Sequence, residues 1–127
     1  MKYCYFTSIV PEYIAKELKE LGYDGECKHY CTESGSKRTS IVPRNWNIGK
    51  NLSFPSFAEL FDWFLEKGVS ISINIEPIEN GGWSGNISKV KEPHHHIITQ
   101  IEDDWHSVAN TCIKIAFEFY LKLKNHE

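Results

Sequence analysis

Apolar positions recur along this chain with two periods, and the switches between them divide it into elements. Val10, Ile14, Leu18 and Leu21 fall on one stripe at spacings of three and four, which predicts a helix over 11–21. Pro11 suits its first turn, where the missing N–H is no loss. Gly22 followed by Tyr23 predicts a left-handed glycine cap with an apolar contact back to Leu18. Ser56 and Glu59 form an S-x-x-E capping box that opens a second helix, running to about Lys67 and stopped by Gly68. Its expected buried stripe is Phe57, Leu60, Phe61, Phe64 and Leu65, with Trp63 at the border. A third and longest helix starts at Asp103 or Asp104 and runs to about Lys124.

The second period is two. Val69, Ile71, Ile73 and Ile75 alternate with Ser70, Ser72 and Asn74, the pattern of an antiparallel strand with one wet face. Two further strands are predicted over 83–91 and 94–101, after a turn at Asn80, Gly81 and Gly82 and divided by Glu92 and Pro93. Earlier in the chain, 26–33 and 37–43 read as a hairpin around Ser34, Gly35 and Ser36. Residues 44–55 show neither period and read as an irregular loop centred on Trp46. The order α-β-β-α-β-β-β-α lacks the alternation of a parallel sheet. It predicts an α+β fold, with an antiparallel sheet of about five strands and three helices packed mainly on one face. At 127 residues the expectation is a single domain over 1–127.

Composition narrows the function. A net charge of -3 with only two arginines, Arg38 and Arg44, leaves no basic stripe to neutralise a run of phosphates, so double-stranded nucleic acid is not an expected partner. No apolar run approaches membrane-spanning length, and Pro11, Glu12, Lys16 and Glu17 interrupt the first 20 residues, so neither an anchor nor a signal peptide is expected. The expected location is therefore the cytoplasm, with Cys4, Cys27, Cys31 and Cys112 as reduced thiols and the N-x-S sequons at Asn51 and Asn86 as chance matches.

Three stretches carry a resemblance: AKELKELGYDGEC at 15–27, FPSFAELFDWFLEKGVSISI at 54–73, and the terminal helix with Val108, Ala109 and Ala116. From Ala15 to Leu121 the chain resembles a family of small uncharacterised proteins encoded by phages and mobile elements, particularly of Bacteroides-type bacteria, with 28–53 departing most. The resemblance implies an accessory protein of a prophage or conjugative element, and it carries over no functional residue.

Three constellations could bear chemistry. On a strand, His94 and His96 would share a face and could grip one metal ion, zinc being the ion expected, with Asp103, Asp104 or His106 completing the set; wet histidines at a strand start are the plainer account. Cys27, His29 and Cys31 alternate and could form half of a zinc site, but no second ligand pair accompanies them, and core packing explains cysteines on a strand. Trp46 and Trp83, with Arg44 and Lys50, could stack a base and hold a phosphate, or could simply plug the core.

The terminal helix has a main stripe of Trp105, Val108, Ala109, Cys112, Ala116, Phe119 and Leu123. Ile113, Phe117 and Leu121 form a second stripe beside it, more than one sheet can cover. Either the segment Tyr3, Cys4, Tyr5 and Phe6 or a second copy of the helix in a homo-oligomer would bury it.

With no catalytic constellation, the expected function is a small non-enzymatic binding or interference protein. It would sequester a small ligand, a nucleotide among them, or occlude a host protein. The alternatives are a metal-dependent enzyme built on the His94, His96 and Asp103, Asp104, His106 region, and a structural assembly protein.

Overall fold

The computed structural model describes residues 8–76 and 81–125. The chain divides into two compact units, residues 1–60 and 61–127.

The first unit holds α1 (Glu12–Leu21), β1 (Cys27–Cys31), β2 (Lys37–Arg44), β3 (Leu52–Phe54) and the first turn of α2 (Phe57–Glu66). α1 closes as its sequence predicts. Gly22 is left-handed (φ 96°), and the Tyr23 and Gly22 amides donate to the Leu18 and Lys19 carbonyls, the paired bonds of a Schellman cap. The stripe Val10, Ile14 and Leu18 is buried with Tyr23, Cys27, Phe54, Phe57 and Leu60. At the start of α2 the capping box is reciprocal: the Ser56 amide donates to Glu59 Oε1 (2.8 Å) and the Glu59 amide to Ser56 Oγ (3.1 Å).

The three strands form an antiparallel sheet in the order β2-β1-β3. β3 lies inside the segment expected to be an irregular loop. Three residues are too few for a period of two to declare itself, and what makes them a strand is the free edge of β1. The rest of that segment is pinned rather than loose. Lys19 Nζ donates to the carbonyls of Gly49 and Asn51 (2.6 Å each), and the Asn47 side chain donates to the Tyr23 carbonyl (3.1 Å) while accepting from the Ser53 amide (2.8 Å).

The second unit holds the remainder of α2, β4 (Val69–Ile75), β5 (Trp83–Lys89), β6 (Glu92–Ile98) and α3 (Trp105–Asn125). Its antiparallel sheet runs β4-β5-β6. Ile71, Ile87 and Ile97 stand opposite one another across it, while Ser72 faces Asn86 and Ser70 faces Ser88 on the alternate positions. α3 packs on this sheet where β5 carries Gly85; a Cβ there would collide with Cys112 Sγ and crowd Val108. Asp104 caps α3, accepting from the Ser107 amide (3.2 Å) and hydroxyl (2.8 Å), and these bonds hold its carboxyl below the usual carboxylate range.

The class is α+β with three helices, as expected, but the strands make two three-stranded sheets and not one of about five. β1 is flanked by β2 and β3, and β5 by β4 and β6, so each set of three strands pairs within its own stretch of the chain. Two finer expectations also shift. Leu65, placed in the buried stripe of α2, is 52% exposed, and Trp63, placed at the border, is only 5% exposed. The buried arc of α2 is thus rotated toward Trp63, which meets Tyr120 of α3 with ring centroids 5.3 Å apart.

The second apolar stripe of α3 is largely covered by the chain itself. Ile113 is buried, Phe117 is half-buried with its ring 5.8 Å from that of Phe64, and Leu121 is 44% exposed. Of the three residues expected at an oligomer interface, Leu121 is the most exposed and Ile113 is fully buried. Tyr3, Cys4, Tyr5 and Phe6, the other expected cover, lie outside the described residues.

Candidate functional site

The hairpin β1–β2 and the start of α1 enclose a cleft of about 520 Å³ within the first unit. Register explains its lining. His29 of β1 stands opposite Thr39 of β2 and Phe54 of β3, and one row along Cys31 stands opposite Lys37 and Leu52. His29, Lys37, Thr39 and Phe54 therefore share one face of the sheet, the alternation that puts every second residue on the same side. Ile9, Val10 and Pro11 supply an apolar wall with Glu12 next to it, and the intervening strand positions Tyr30 and Arg38 also border the cleft, their side chains alternating to the other face.

The charge balance of this cleft is positive. Lys37 and Arg38 line it, and among the described residues no ion pair engages either. Its carboxylate, Glu12, is already paired with Lys16 at 3.1 Å. α1 begins at the cleft with Pro11 as its N-cap, so the positive end of the helix dipole lies there. His29 is oriented by a 2.9 Å hydrogen bond between Nδ1 and Thr39 Oγ1, which leaves Nε2 for another partner.

Behind the cleft, Tyr30 stacks on Trp46 with ring centroids 3.9 Å apart and 10° between planes. The Trp46 indole N–H donates to the Cys27 carbonyl (2.8 Å), and its amide donates to the buried Ser53 hydroxyl (3.0 Å). Trp46 thus supports a lining residue. Arg44 ends β2 opposite Cys27, Lys50 pairs with Glu33 at 3.3 Å, and Trp83 belongs to the second unit, on β5. Lys37 and His29 come together only through the hairpin register; the adjacent cations at 37 and 38, just after the predicted turn, are the one sequence signal of this site.

Cys27, His29 and Cys31 do project from one face, but each is engaged separately. Cys27 Sγ donates to the His29 carbonyl (3.3 Å), Cys31 Sγ to the Thr32 carbonyl (3.5 Å), and His29 meets Thr39. Burial pushes the Cys27 thiol up to about 11, so it stays protonated and unreactive at neutral pH. In the second unit His106 Nδ1 lies 3.9 Å from Asp104 Oδ1, and His96 faces Ser88 across the sheet. Among the described residues one group of three metal-capable side chains converges, and it joins His94 to Glu92 and His95 rather than to His96 and His106.

A second cleft, of about 580 Å³, lies beside the β5–β6 end of the second sheet and is lined by Asn74, Glu76, Ser84, Asn86 and Gln100 among others. Its one carboxylate accepts a 2.5 Å bond from the Ser84 hydroxyl, and no cation lines it.

Comparison of the chain with protein-family models, with curated proteins and with solved structures found no match. Among the described residues no helix is long and apolar enough to cross a membrane.

Proposed function

We propose that this chain is a non-enzymatic binding protein whose cleft between α1 and the β1–β2 hairpin takes up a small anionic molecule with an apolar or aromatic body. The observation that carries the reading is the face shared by His29, Lys37 and Thr39, set against the apolar wall of Ile9, Val10 and Pro11. A volume of about 520 Å³ is within the range of small-molecule sites, roughly 300–1,000 Å³. Lys37, with His29 Nε2 beside it, would hold the anionic group, the positive end of α1 would favour it, and Phe54, Val10 and Ile9 would receive the body. Nucleoside monophosphates have this chemistry. Sequestering such a metabolite is also what an accessory protein of a phage or mobile element would do, the origin the resemblance implies.

The test is a titration of the full chain with inorganic phosphate, adenosine monophosphate and a neutral nucleoside, followed by tryptophan emission and amide chemical shifts. The monophosphate is expected to saturate, to perturb Trp46 through Tyr30, and to shift residues 9–12, 29–30 and 37–39. A charge-assisted bond contributes about 1.5–3 kcal/mol, and exposure places this one at the low end, so Lys37→Ala should weaken binding about tenfold. Saturation with shifts elsewhere, or none with any of the three compounds, would overturn the reading.

A further inference from the structure

We propose that Glu92, His94 and His95 form a binding site for one divalent transition-metal ion of zinc's class, carried on the β5–β6 hairpin. The site arises from a break in strand register. Lys89 faces Glu92 and Ser88 faces His96, so two consecutive residues of β5 oppose five of β6. Pro93, His94 and His95 are the surplus, and they bulge out of the ladder. In a regular strand His94 and His95 would point to opposite faces. In the bulge their rings meet edge to face with centroids 4.4 Å apart, and His95 Nδ1 lies 3.2 Å from Glu92 Oε2.

One ligand atom from each of the three side chains lies within 4.8 Å of the others. Around a tetrahedral zinc ion, bonds of about 2.0–2.2 Å place neighbouring ligand atoms roughly 3.4 Å apart. The group therefore closes by small side-chain rotations, which all three residues can make because they are exposed. Two imidazole nitrogens and a carboxylate oxygen suit zinc and its neighbours better than magnesium or calcium, which want oxygen alone. The competing His95–Glu92 contact is weak, its side chains being about half exposed. Three protein ligands leave a coordination position open to water or to a donor atom of another molecule. This site is separate from the cleft of the first unit and does not depend on it.

The experiment is a titration of the chelator-treated full chain with Zn2+ by calorimetry and with Co2+ by visible absorption. The expected result is one equivalent per chain and a cobalt spectrum without thiolate charge-transfer bands. His94→Ala and His95→Ala should each cut affinity at least about tenfold, and Glu92→Gln by less. His96→Ala and His106→Ala should leave it unchanged. Circular dichroism should show every variant folded, since the substituted side chains are at least partly exposed. Absence of binding up to millimolar metal, equal loss in His96→Ala or His106→Ala, or a thiolate band would overturn the proposal.

Discussion

Gly85 shows how one side-chain hydrogen can set a helix's approach to a sheet. Its place on β5 lets α3 come close enough for Cys112 to lie over the backbone, and a Cβ there would meet the cysteine sulfur. Gly85→Ala should cost about 1–3 kcal/mol by overpacking, measured by urea denaturation. In a Cys112→Ala background the same substitution should cost less, because the sulfur it strikes is gone; equal costs in the two backgrounds would show that the contact does not limit packing. A glycine inside a predicted strand announces some close approach, but not the residue that approaches. Leu65 and Trp63 make the same point: both are apolar on one helix, and which of them is buried depends on where Tyr120 lies.

Elements with a full cap or a sustained period were legible, and those made by pairing were not. The Schellman cap of α1, the capping box of α2 and the alternating run of β4 stand where their local chemistry put them. β3 and the two strand bulges do not follow from any local signal. In β2 four residues, Ser40, Ile41, Val42 and Pro43, stand against Lys28 alone, which lifts Ile41 out to solvent. Asn47 ties the loop before β3 to the turn after α1, taking one backbone partner on each side. Asn47→Ala leaves both backbone groups without that partner and should cost about 1–3 kcal/mol. Protection of the Ser53 amide from hydrogen exchange should fall with it; unchanged protection would mean that β1 alone holds β3.

For the molecule as a whole, three buried acids link stability to alkaline pH. Burial raises the Cys27 thiol to about 11 and the Cys112 thiol to about 12 from an ordinary 9.0, and it raises Tyr23 above the usual phenol range. In each case the folded state holds its proton more tightly than the unfolded chain. The stabilisation is therefore complete below pH 9 and is lost as pH rises through the folded-state values near 11 and 12. Urea midpoints should fall steadily from pH 9 upward, and Cys112→Ala should flatten part of that slope. A level profile to pH 11 would contradict the burial of these groups.

What the sequence determined by itself was local: the α+β class, three helices and their caps, most of the strands, and the residues of the α3 stripe. Each follows from backbone hydrogen bonds satisfied nearby or from an apolar period that needs some core, whatever its shape. Tertiary structure decided the rest. The strands paired into two sheets, the second stripe of α3 found cover in Phe64, and Trp46 became a support for Tyr30. The candidate sites belong to the same category. His29 joins Lys37 only through the register of β1 on β2, and His94 joins His95 and Glu92 only through a bulge, because strand pairing fixes which side chains meet and sequence spacing does not.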